Sequence, residues 1–180
     1  MSEHRPTFIS LSLLTIVVHS VTYFVCDLLA FFILDYESNF ADPEVQLLMR
    51  LTDEPIVMAD PLFQPFRGLL FAVAFYPLRS VLFSQKRGWL VMWTLLVTVG
   101  ILSTFGPSPC SVEGMVYTVF PIPLQLFGMI EVLAQSLLLS AILCYWVNHS
   151  ETRWIHCLLG VSFFVVLLLP TMGLLIGPSH

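Results

Sequence analysis

The chain has 180 residues, of which 57% are hydrophobic and 11% charged, with a formal net charge of −5. Its mean hydropathy is +0.88, and so little polar side chain cannot cover the outside of a soluble domain. No basic patch suggests nucleic-acid binding, no glycine-rich loop suggests phosphate binding, and Cys26, Cys110, Cys144 and Cys157 lack zinc-ligand spacing.

Five apolar runs are long enough to cross about 30 Å of hydrocarbon at 1.5 Å per residue. The first, 8–34, is too long for a signal-peptide core and reads as a retained signal anchor. The acidic loop 35–63 follows. In it Asp42-Pro43 reads as an N-cap with proline at N1, opening a short surface helix whose apolar face is Val45, Leu47, Leu48 and Leu51. An irregular acidic loop is the other reading. The second run, 65–84, begins at Pro65, a residue suited to a helix start. Inside it Pro77 removes the bond to the Val73 carbonyl and predicts a kink. The third run, 88–105, is the shortest. A proline-rich loop, 106–122, leads to the fourth run at 123–147, and the fifth is 154–176. The expected fold is therefore an all-α integral membrane bundle of about five transmembrane helices, forming one domain over the whole chain.

Arg5, Lys86, Arg87 and Arg153 fall on one side of this topology, with Arg50 opposite. The positive-inside rule then puts the N-terminus in the cytoplasm and the C-terminus outside. The 65–105 and 123–176 hairpins also share features: proline and glutamine ahead of a helix, an arginine just before a tryptophan, and a closing Gly-Pro-Ser. These suggest a parallel internal repeat, although prolines and glycines also gather at helix ends for local reasons.

Ionisable residues inside the runs are the informative ones, because lipid makes them expensive. Asp27, Arg67 and Glu131 lie about 9, 11 and 6 Å to the outer side of their helix midpoints by rise per residue. They share one layer. Either they form a polar site open to the outside, for a proton, a cation or a lipid headgroup, or they are an ion-paired staple that fixes packing. In a third reading Asp27 and Arg67 snorkel apart. Gln125, Gly128, Glu131 and Gln135 lie on one face of the fourth helix, and Ser12, Thr15, His19 and Cys26 form a matching stripe on the first. His19 reads as a hydrogen-bonded core histidine or a proton relay; no second ligand at its depth makes it a metal site. Arg79, Lys86 and Arg87 form an inner-face basic cluster suited to anionic lipid.

The phrases Gln64-Pro65-Phe66-Arg67-Gly68-Leu69-Leu70-Phe71, Ala74-Phe75-Tyr76-Pro77-Leu78-Arg79, Lys86-Arg87-Gly88-Trp89-Leu90, Gly100 to Pro107, and Tyr145-Trp146-Val147-Asn148-His149 resemble an uncharacterised family of small bacterial multi-pass membrane proteins. About half the chain carries the resemblance, which implies a bacterial inner membrane and no particular activity. No catalytic motif, cofactor motif or metal site is evident. The expected role is that of a non-enzymatic binding or accessory protein, with membrane lipid around it and a protein partner or small ligand at the external loops. The alternative is an oligomeric proton- or ion-coupled transporter or channel using Asp27 and Glu131.

Overall fold

The computed structural model describes residues 6–40, 43–46 and 49–176. Among these residues every regular element is helical. Helix α1 (Phe8–Ile33) opens with Thr7, whose hydroxyl accepts the Ser10 N–H. Three short helices follow: α2 (Tyr36–Phe40), α3 (Pro43–Gln46) and α4 (Pro55–Met58). Then come α5 (Asp60–Phe75), α6 (Arg79–Ser84) and α7 (Gly88–Leu95), which continues as a π-helix over Leu96–Leu102. Helix α8 (Val112–Tyr117) lies in a loop, and α9 (Ile122–Asn148) and α10 (Arg153–Ile176) complete the chain. Three of these helices, α1, α9 and α10, are long and apolar enough to cross a membrane.

The second apolar run does not begin where its first expected proline stands. Helix α5 starts five residues earlier, at Asp60, with Pro61 in its first turn and Pro65 inside it. The missing Pro65 N–H faces only the Pro61 carbonyl, at the helix mouth, so one bond is lost near the end where the helix is least dependent on it. Pro77 breaks the helix rather than bending it: residues 76–78 form a turn between α5 and α6. The third run is an α-helix for eight residues and a π-helix for seven. Of the expected surface helix, α3 starts at Pro43 and carries buried Val45, while Asp42, Leu47 and Leu48 lie outside the described residues.

Helix α1 packs along α5 and also against α9 and α10; α7 packs on α9 and α6. Close approach of α1 and α5 depends on Gly68, where an added Cβ would sit 2.7 Å from the Ile16 Cα. The tight turn between α6 and α7 depends on Gly88, where a Cβ would meet the Leu82 carbonyl oxygen at 1.8 Å. The core joins Leu11 and Val18 of α1, Phe75 of α5, Met92 of α7, and Leu139 and Leu143 of α9. Helix α10 attaches through Ile155, Leu159 and Val166 and exposes Leu158, Val161, Phe164, Leu169 and Leu175. A helix apolar on its exposed face as well as its packed face suits lipid as the solvent.

Candidate functional site

A polar network runs between α1 and α5 at the end of the bundle where α9 begins. Gln64 is fully buried, and its amide NH2 donates to the Asp60 carboxylate at 2.9 Å. Its Oε1 lies 3.3 Å from an Arg67 guanidinium nitrogen and 3.1 Å from His19 Nε2. A carbonyl oxygen only accepts, so His19 carries its proton on Nε2 and leaves Nδ1 as a bare acceptor. That Nδ1 is buried and has no partner among the described residues. The residues Asp60, Gln64 and Arg67 are spaced four and three apart, so one face of α5 presents all three. The Arg67 guanidinium also lies over the Tyr23 ring, 5.6 Å from its centroid, within cation–π range.

Arg67 then reaches a cleft of ≈ 200 Å³ between α5, the π-helix, α9 and the loop before α8. Its polar lining comes from Arg67, Ser108, Cys110, Gln135 and Ser136, and its apolar walls from Phe71, Leu96, Ile101, Val132 and Leu139. Gln135 is 9% exposed, and its side-chain amide makes no hydrogen bond among the described residues. The polar atoms of this amide are accessible from the cleft, in the same space as a guanidinium. The Ser136 hydroxyl is occupied by the Leu133 carbonyl. The π-helix forms the opposite wall and includes Gly100, around which no atom would meet an added Cβ; such segments recur at functional sites.

The loop from Ser103 to Pro121 covers the cleft and is stitched to the first turns of α9. Gln125 accepts the Cys110 N–H at 3.3 Å and donates to the Phe120 carbonyl at 2.9 Å, while the Cys110 thiol donates to the Gln125 carbonyl at 3.0 Å. Cys110 is held at a φ of 70°, a left-handed conformation that these bonds sustain. Ser111 caps α8 through the Gly114 N–H at 2.9 Å, and a Cβ on Gly114 would sit 1.9 Å from the Ser108 carbonyl oxygen. Burial and the nearby Glu131 carboxylate push the Cys110 thiol's pKa up.

Asp27 and Glu131 stand beside the cleft rather than in its lining. They lie on α1 and α9 within electrostatic reach of each other. Glu131 accepts the Tyr36 hydroxyl, and burial, with that bond, pushes the Tyr36 pKa up. Asp27 makes no hydrogen bond or ion pair among the described residues. The pairing of Arg67 with either acid is absent: the ion pair of the described residues is Arg50–Glu54 at 2.7 Å. Arg67 turns to Gln64, Tyr23 and the cleft, because depth along a helix does not fix direction around it.

The basic residues of the other end also separate. Arg79 donates to the Tyr76 carbonyl at 2.9 Å and covers the Tyr76 ring at 4.1 Å. Arg87 precedes α7 and is exposed. Lys86 lines a second cleft at that end. Gln64, Asp60 and Tyr23 carry the network around Arg67 and were not singled out from sequence for it; the Asp60, Gln64, Arg67 spacing was the signal. Tyr36 lay in a loop, with no periodicity to aim it at Glu131.

No protein-family model, no curated protein and no solved structure matches this chain.

Proposed function

We propose that the chain is a non-enzymatic, multi-pass integral membrane protein that binds an amphiphile with an anionic oxygen head in the outer half of its bundle. The observation that carries this is the convergence of Arg67 and the unpartnered Gln135 amide on one apolar-walled cleft. The guanidinium supplies the charge, the amide supplies two donors and an acceptor, and Leu96, Ile101 and Leu139 suit an alkyl chain. A volume of ≈ 200 Å³ suits a carboxylate or phosphate head and not a drug-sized molecule.

The five-pass reading is supported by α1, α9 and α10 together with two composite passes. Asp60 to Ser84 covers about 37 Å despite its break, and α7 with its π continuation covers about 22 Å. In this topology the N-terminus is cytoplasmic, the C-terminus is outside, and the Ser103–Pro121 loop faces outward. Its exposed Phe105, Val116, Tyr117 and Val119 offer an apolar surface to lipid or to a protein partner. The family resemblance favours a bacterial inner membrane.

Decanoate, decyl phosphate, decanol and decyltrimethylammonium titrated into the detergent-solubilised protein test the reading. The two anions bind at least about tenfold more tightly than decanol, and Arg67→Gln removes the difference, as expected for a hydrogen bond to a charged group. Equal binding of decanol and decanoate would sink the proposal.

The second reading, a proton- or ion-coupled oligomeric transporter, is favoured by one observation. Asp27 and Glu131 approach each other with no ion pair for either acid among the described residues, as in a cation or proton pathway. Its test is flux in proteoliposomes, abolished by Glu131→Gln.

A further inference from the structure

We infer that the opposite end of the bundle carries a second, separate site, for the phosphate headgroup of an anionic phospholipid. The observation is a cleft of ≈ 340 Å³ between the turn joining α6 to α7 and the last two turns of α9. It does not depend on the outer-cleft proposal. It requires only that α9 cross the bilayer, for its C-terminal end then lies at the interface.

The lining is graded. Ala141 and Cys144 form the deep wall, and the Cys144 thiol is turned away onto the Leu82 carbonyl at 3.5 Å. Trp89 and Tyr145 stand at the level of the mouth, 37% and 49% exposed, and neither indole N–H nor phenol hydroxyl has a hydrogen-bond partner among the described residues. Amphipathic rings with free polar tips are suited to the headgroup level. Lys86 and His149 complete the mouth. Lys86 is exposed and makes no ion pair among the described residues. His149 stacks on Tyr145 with centroids 4.3 Å apart, and its Nδ1 lies 2.9 Å from the Tyr145 carbonyl oxygen. That carbonyl only accepts, so Nδ1 carries a proton and Nε2 is left as an acceptor, open to a headgroup hydroxyl.

The charge decides the occupant. The cationic side chain of this lining is Lys86, and no carboxylate is among the lining residues. A phosphodiester is complementary to the lysine and to the free indole and phenol donors, while the Ala141 side receives the first methylenes of the acyl chain. Arg87, adjacent in sequence, lies outside the lining, and Arg79 is committed to Tyr76. The site therefore discriminates between neighbouring basic residues, which a general attraction to an anionic surface does not.

Dibrominated phosphatidylglycerol and phosphatidylcholine with the same chains, in vesicles containing the full-length protein, provide the test. The readout is the part of the tryptophan quenching that Trp89→Phe removes. Both lipids carry the phosphodiester; phosphatidylglycerol is expected to be preferred about tenfold because it lacks the choline cation that offsets the phosphate charge beside Lys86, and it adds glycerol hydroxyls. Lys86→Gln abolishes most of that preference, His149→Ala lowers it, and Arg87→Gln leaves it in place. Free glycerol phosphate does not displace the lipid, since it lacks the chain. Equal quenching by the two lipids, or an equal loss in Lys86→Gln and Arg87→Gln, would overturn the assignment. In the second case only surface charge is acting. Each variant is at an exposed position, and far-UV circular dichroism of each checks that the helices persist.

Discussion

Replacing Gln64 with leucine isolates the network that aims Arg67. The change is nearly volume-neutral, so the polar loss dominates. Four bonds go: to the Asp60 carboxylate and carbonyl, to Arg67 and to His19. Asp60 is half-buried and Arg67 exposed, so solvent or headgroups can replace their lost partner. His19 is 1% exposed and its Nδ1 already has no partner, so Gln64→Leu strands both ring nitrogens. Stranding a buried polar group costs about 1–3 kcal/mol. Coupling between residues bonded within membranes averages about 0.6 and reaches about 1.7 kcal/mol. A destabilisation of about 2 kcal/mol is expected for Gln64→Leu. His19→Leu leaves Gln64 its other three bonds and costs less. The double variant is more stable than Gln64→Leu alone, with a coupling of about 1 kcal/mol. Reversible unfolding by dodecyl sulfate in mixed micelles, followed by circular dichroism, measures all four corners of the cycle. Additivity within about 0.3 kcal/mol would refute the His19–Gln64 contact and the tautomer derived from it.

Gly114→Ala forces a Cβ against the Ser108 carbonyl oxygen, 1.9 Å away, and dislodges the covering loop; steric insertion of this kind costs about 1–3 kcal/mol. Cys110 then alkylates faster with a water-soluble maleimide, and an unchanged rate would contradict the packing. Tyr36 gives the pH test. Its raised pKa means the native state holds the proton more tightly than the unfolded chain does. The associated stability is fully present below the ordinary tyrosine value of about 10 and declines as pH rises above it. Tyr36→Phe flattens that alkaline decline, as read from unfolding midpoints between neutral pH and high pH. The raised Cys110 pKa has the same sign for reactivity: its thiolate is scarce at neutral pH, so labelling keeps accelerating beyond the range of a free thiol.

Much of the architecture was legible because lipid-compatible runs are long. Helices α1, α9 and α10 lie within a residue or so of the expected spans at 8–34, 123–147 and 154–176. Pro77 marked a discontinuity through its chemistry, but whether a proline bends or ends a helix depends on what accepts the freed groups. The start of α5 was hidden because Asp60 and Pro61 precede the apolar run, and a helix whose first turns are polar leaves no apolar edge at its first residue. The site was legible in parts. Depth placed Arg67 near Asp27 and Glu131, yet Arg67 bonds along its own helix to Gln64 and lies over the Tyr23 ring of α1. Azimuth around a helix is set by packing, here by Gly68 against Ile16. Gln135 was visible as part of a polar stripe on α9. Its lack of a partner emerges only from the positions of all its neighbours.

The most direct test of the outer cleft is native mass spectrometry of the chain released from its own membrane in mild detergent. The account predicts a retained carboxylate- or phosphate-bearing amphiphile on the wild type, lost from Arg67→Gln and weakened in Gln135→Leu. Wild-type protein that emerges bare, or an adduct retained equally by all three proteins, would contradict it.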